Sequence, residues 1–125
     1  MLQNINPKRF DLEDRTLKFA ADVRVFVKKL PKNITNLRDI PQLIDSSGSV
    51  GANYIEANEA LSKKDFFMRI KISRKEAKES KYWLILIDTY QNVDLEKDRN
   101  KLIQEALELT KIFGSILEKN VTKEF

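Results

Sequence analysis

The chain of 125 residues contains no cysteine and no histidine. The first absence excludes disulfides and thiolate metal sites. The second removes the usual imidazole base and the commonest metal ligand. Three glycines and three prolines leave little turn chemistry, which disfavours a strand-rich fold with many tight turns. Long apolar runs are missing as well. The run Trp83-Leu84-Ile85-Leu86-Ile87 is only five residues, far short of the roughly 20 needed to cross a bilayer. No apolar signal-like region opens the chain. These absences lead us to expect a cytoplasmic protein with no membrane contact, no metal and no cofactor.

What is present favours long amphipathic helices: 42% hydrophobic and 34% charged residues in a chain long enough to bury one core. Residues 1–10 read as a tail. Asp11 is the expected N-cap of a first helix reaching about Leu30, where Pro31 stops it. Its apolar positions are Leu12, Ala20, Val23, Val27 and Leu30, with Phe19 and Phe26 widening the stripe. After a loop at 31–37, a second helix is expected to start near Arg38, with Pro41 in its first turn. Ser62 and Asp65 fit a capping box opening a third helix. There Phe66, Ile70, Ser73, Ala77, Ser80, Leu84 and Ile87 form a heptad seam that is small in its middle, so another helix can come close. Asn92 and Asp94 mark the next turn, with Asp94 as the expected N-cap of a fourth helix. Its apolar positions include Leu95, Leu102, Ala106, Leu109, Phe113 and Leu117, and Gly114 interrupts it late. Residues 120–125 read as a second tail. The expected fold is all-α: an antiparallel up-down-up-down four-helix bundle over residues 11–119.

The second helix contains two glycines, Gly48 and Gly51. Each costs about 1 kcal/mol relative to alanine, so a close helix approach is expected to offset them. A polar row (Ser46, Ser49, Asn53, Glu56) recurs at steps of three and four and therefore occupies one helix face. A hairpin turning near Ser62 places Glu56 close to Arg69, a candidate buried or interfacial pair. Buried polar groups usually serve one another, so Asn53 and Glu56 are read as structural rather than as a ligand site.

Charge is unevenly placed. The net charge is +4, yet the stretch from Lys63 to Lys81 alone carries eight basic residues (Lys63, Lys64, Arg69, Lys71, Arg74, Lys75, Lys78, Lys81) against three acids. A basic stripe on one helix is a candidate footprint for phosphate backbones, with Tyr82 and Trp83 as candidate stacking rings. The competing reading is a solvated face laced with i,i+4 ion pairs. No Gly-rich phosphate loop, Ser/His/Asp set or RNA-binding signature is present. Glu56, Glu59, Glu76 and Glu79 form two E-x-x-E pairs that invite comparison with metal-dependent nucleotide hydrolases. The hairpin register offsets the pairs by roughly 12 Å along the helix axes, too far to share one ion. No catalytic or metal residue is assigned.

Ser49-Val50-Gly51-Ala52-Asn53-Tyr54-Ile55-Glu56 resembles the S-[IV]-x-x-N-[IV]-x-E segment of the four-helix-bundle family encoded within intervening sequences of bacterial 23S ribosomal RNA genes. Asp65-Phe66-Phe67 and the stretch from Ile72 to Ser80, with Glu79, are similar to that family's third helix. Ala57 departs from it, since many members have glycine there. The resemblance spans about residues 10–118 and marks Ser49, Asn53, Glu56 and Glu79 as motif residues. It implies a short bundle that assembles into a ring, typically a homopentamer. A branch similar in fold, the accessory proteins of diversity-generating retroelements, partners a reverse transcriptase and its RNA. No catalytic residues come with the resemblance. The expected function is therefore a non-enzymatic, self-assembling bundle that binds RNA or a nucleic-acid-processing protein through a basic belt. The alternative is an oligomeric scaffold for protein partners. Phe19, Phe26, Trp83 and Tyr90 are the residues expected to face a neighbouring subunit.

Overall fold

The computed structural model describes the backbone of residues 7–124 and the side chains of residues 12–119. Four helices follow one another: α1 (Pro7–Lys28), α2 (Ile34–Asn58), α3 (Lys63–Leu86) and α4 (Val93–Glu124). Among the described residues there is no strand, and no helix is long and apolar enough to cross a membrane.

Opposed residues run in antiparallel register. Asn53 meets Arg69, Val50 meets Ser73, and Ser46 meets Ser80 along α2 and α3. On the α1–α2 side, Glu13 meets Asn58, and Gly51 meets Thr16. Helices adjacent in sequence pack together and α1 closes on α4, with α2–α3 the densest seam and α1–α4 the sparsest. Tyr54 and Phe113 bridge the core from α2 to α4 with ring centroids 5.8 Å apart.

Helix starts differ from the sequence reading in three places. α1 begins at Pro7 rather than after Asp11; proline suits a first helical position, because its φ is preset and its missing N–H would be unpaired there anyway. The Asp11 side chain lies outside the described residues. α2 begins four residues before Arg38, because Asn33 is the N-cap and its side chain accepts from the Asn36 N–H at 2.9 Å. Pro41 therefore sits inside the helix, where it has no N–H for the Leu37 carbonyl. At α4 the cap is Asn92, whose side chain accepts from the Leu95 N–H at 3.0 Å, and not Asp94. The Ser62 cap stands as read, accepting from the Asp65 N–H at 3.1 Å. The α4 backbone stays helical to Glu124, through most of the stretch read as a tail.

The α1 stripe is centred differently from its sequence reading. Leu12, Thr16, Phe19, Val23, Phe26 and Leu30 are buried, at alternating steps of four and three, a heptad seam. Thr16 hides this seam in the sequence because it is polar; its hydroxyl bonds back to the Leu12 carbonyl at 2.9 Å. Phe19 and Phe26 are accordingly core residues of the single chain, 1% and 2% exposed, and not subunit-facing. Both lie beside Leu102 of α4, at the sparsest of the helix seams. Trp83 is partly buried against the core, while Tyr90 is largely exposed.

The α2–α3 seam is close, as its small residues predict. Ser73 donates to the Val50 carbonyl at 2.9 Å and Ser80 to the Ser46 hydroxyl at 3.0 Å. All buried polar side-chain atoms among the described residues have partners. Of the two helix-2 glycines, only Gly51 is required sterically. A Cβ there would lie 2.8 Å from Thr16 Oγ1, whereas one at Gly48 would meet Arg24 Nη2 at an ordinary 3.5 Å.

Candidate nucleic-acid interface

Residues 71, 74, 75, 78 and 82 of α3 follow the i, i+3, i+4, i+7 pattern of one helix face. That face borders α4, where the facing positions are Thr110 and Gly114. Between the two helices lies an open groove of about 790 Å³ lined by Lys71, Arg74, Lys75, Lys78, Glu79, Tyr82, Thr110 and Gly114. Four cations and one acid give it a net charge of three positive units. Its α4 wall carries no charge: Thr110 turns its hydroxyl to the Ala106 carbonyl at 2.8 Å, and Gly114 has no side chain.

Around α1, by comparison, cations are closely paired with acids. Arg15 forks onto Glu105 at 2.7 and 2.8 Å and reaches Glu108 at 2.8 Å. These bonds, led by Glu105, hold the Arg15 guanidinium above its already high ordinary value. Gln104 and Arg15 in turn hold the Glu108 carboxyl below its usual range. Lys29 pairs with Asp98 and Lys18 with Asp22. On α3, by contrast, the ion pairs among the described residues are Lys75–Glu76 at 3.5 Å and Arg69–Glu56 at 3.8 Å. Lys71, Arg74 and Lys78 have no salt bridge among the described residues, so the i,i+4 ladder that would explain the stripe as a self-neutralised face is not formed there.

The eight basic positions do not form one belt. Lys71, Arg74, Lys75 and Lys78 converge on the groove. Arg69 points to α2, where Nη1 donates to Asn53 Oδ1 at 3.1 Å. Lys63 and Lys64 occupy the first turn of α3, where the positive end of the helix dipole makes them unfavourable. Lys64 borders a second hollow with Phe67 and Met68, which shares Lys71 with the groove. Lys81 is half-buried and outside the groove lining.

The motif residues divide similarly. Asn53 links Ser49 to Arg69, since its amide donates to the Ser49 carbonyl at 2.9 Å while its oxygen accepts from Arg69. The Glu56–Arg69 pair exists, but Glu56 is 59% exposed. It is a surface contact rather than a buried one, because it lies in the last turn of α2, beside the exposed turn that leads into α3. Glu79 is exposed and is the groove's acid. No group of three or more acidic residues placed to hold a metal ion occurs among the described residues. Glu56 lies level with Arg69, seven residues or about 10 Å along α3 from Glu76.

Thr110 and Gly114 are groove residues that sequence reasoning did not assign. Gly114 is visible in the sequence as a glycine interrupting the fourth helix; the structure adds that a Cβ there would meet nothing within 4 Å, so packing does not require it. A polar cluster at the other end of α3 also went unread. There Asn33, Asn36 and Asp88 join the α1–α2 loop to the α3–α4 loop, beside Tyr90 and Gln91, which adopt left-handed φ of 57° and 56°.

Comparison with known proteins agrees with this fold. A crystal structure of a protein of unknown function from the S23 ribosomal protein family of Bacteroides thetaiotaomicron superposes with a TM-score of 0.77 at 29% identity, covering 89% of this chain and 98% of that one. No curated protein matches the chain. The model of the 23S rRNA-intervening sequence proteins matches residues 8–115, nearly the whole helical bundle, and the chain belongs to that family.

Proposed function

We propose that this protein is a non-enzymatic, self-assembling bundle that binds RNA through the phosphate backbone, with the α3–α4 groove as the contact. The observation that carries this reading is the set Lys71, Arg74 and Lys78: three groove cations without a salt bridge among the described residues, opposite an uncharged α4 wall. Leaving like charges together is electrostatically unfavourable unless an anion relieves them. Phosphate contacts give affinity without sequence information, which fits a site with no base-reading motif. In a ring of identical subunits, the groove would repeat and its potential would add. The family's association with ribosomal RNA genes points the same way.

The test is affinity for a mixed-sequence structured RNA across a salt series, with light scattering reporting the assembly mass. Binding should weaken linearly in log–log form, and reversing Lys71 and Lys78 to glutamate should flatten the slope by about 1.5. Affinity no greater than that of an unrelated protein of equal net charge would overturn the reading.

A second reading, an oligomeric scaffold for a protein partner, is supported by apolar side chains at the loop end of the bundle. Ile34, Leu37, Ile85, Leu86, Tyr90 and Val93 are all substantially exposed there. A ring whose mass ignores RNA would favour it.

A further inference from the structure

We infer that the groove selects single-stranded over duplex nucleic acid, by pairing its phosphate-binding cations with a base-stacking position at Tyr82. This rests on the phosphate-binding reading above and names the strand form that the same site takes.

The groove has two chemically different parts. From Lys71 to Lys78 its α3 wall is cationic. One turn further on it ends at Tyr82, whose side chain is 58% exposed although it belongs to the lining. Trp83 meets the Tyr82 ring edge-on, with centroids 5.1 Å apart and planes at 83°. An edge contact of this kind restrains the ring. Ile85 and Leu86, also exposed, extend the apolar character beyond it. Lys71 to Tyr82 covers eleven residues, or about 16 Å of helix, so a short strand lying along the groove would meet the cations first and the ring last.

The stacking position is what disfavours a duplex. In a duplex the faces of the bases are occupied by neighbouring bases, and proteins that stack aromatic rings on bases do so with unpaired ones. Tyr82 can therefore contribute only to a strand whose bases are free.

The experiment measures fluorescence anisotropy with a labelled 12-nucleotide RNA, with its duplex of the same sequence, and with inorganic polyphosphate as competitor. The expected result is at least tenfold tighter binding of the single strand. Tyr82→Leu should weaken single-strand binding about fivefold to a hundredfold while polyphosphate competes as well as before. Tyr82→Phe, which keeps the ring, should restore the affinity. Tyr82 is exposed, so circular dichroism of each variant should match the parent. Equal affinity for the two RNAs, or a Tyr82→Leu protein that binds like the parent, would overturn the inference while leaving phosphate binding intact. Failure of all three polyanions to bind would instead remove the underlying reading.

Discussion

The buried Asn36 side chain exchanges two hydrogen bonds with the backbone of Asp88: its amide donates to the Asp88 carbonyl at 2.8 Å, and its oxygen accepts from the Asp88 N–H at 2.9 Å. It satisfies the Asp88 backbone as a neighbouring strand would. A further bond from the amide to the Pro31 carbonyl at 3.0 Å ties the α1–α2 loop into the same point. Asp88 in turn accepts from the Asn33 amide at 2.9 Å and the Tyr90 N–H at 2.8 Å. The α1–α2 and α3–α4 loops are thus held together by one side chain.

Asn36→Ala should therefore destabilise the fold by about 3 kcal/mol, because it leaves several backbone groups in the loops without partners. Asn36→Asp should cost at least as much, since it replaces a donor facing two carbonyls with a carboxylate oxygen. Urea denaturation of the three proteins measures this. A loss below about 1 kcal/mol for Asn36→Ala would mean that water replaces the side chain at little cost.

The two helix-2 glycines should respond to alanine with opposite signs. At Gly48 nothing closer than 3.5 Å opposes a Cβ, so Gly48→Ala should stabilise the protein by about 1 kcal/mol through helix propensity. At Gly51 the new methyl would press on Thr16 Oγ1 and Cβ, at 2.8 and 3.1 Å. Thr16 is buried and hydrogen-bonded to Leu12 and Glu13, so it cannot turn away freely. Overpacking of about 1–3 kcal/mol should exceed the propensity gain. Thermal midpoints that shift the same way in both variants would contradict the close approach of α1 and α2.

These examples also show what the sequence makes legible. The helix-3 seam could be read because every seam residue is apolar or small, and spacing alone places Ile70, Ser73, Ala77, Ser80 and Leu84 inside. The α1 seam was harder to read because one member, Thr16, is polar and because Ala20 and Val27 offered a plausible rival stripe. Asn33 resembles any loop asparagine until its partner Asn36 is seen, so the sequence places the start of α2 a turn late. In the candidate site, helical spacing gathers Lys71, Arg74, Lys75 and Lys78 on one face. Sequence does not show that Arg69 turns to Asn53, nor that α4 offers only Thr110 and Gly114. Those facts depend on which helices are neighbours and on their register.

Acid sensitivity should localise to the start of α4. The Thr89 hydroxyl, and then Arg99, bond to the Glu96 carboxylate and hold its pKa below the ordinary 4.5. A carboxyl lowered in the folded state stabilises the fold above its unfolded value, and that contribution disappears as pH falls through the lowered value. Thr89→Val removes the leading cause, so the Glu96 titration midpoint followed by NMR should rise toward the ordinary value. The stability difference between parent and variant should be largest at neutral pH and narrow below pH 4.5. A Glu96 midpoint unchanged by the substitution would show that Arg99 alone sets it.

Gly114 permits a test of the groove that leaves every α3 cation in place. Since a Cβ there meets nothing within 4 Å, Gly114→Ala should be tolerated and should stabilise α4 by about 1 kcal/mol. Gly114→Glu keeps good helix propensity but projects a carboxylate from the α4 wall toward Lys71, Arg74 and Lys78. The groove's net charge falls from three positive units to two, and the new acid competes directly with phosphate. RNA affinity at low salt should fall more than tenfold. Ser115→Glu is the matched control: it changes the net charge of the protein equally, on an exposed neighbouring position outside the groove lining. If the groove is the binding site, Ser115→Glu should bind nearly as well as the parent. Equal losses in the two variants would mean that overall charge governs binding and that the groove holds no privileged site.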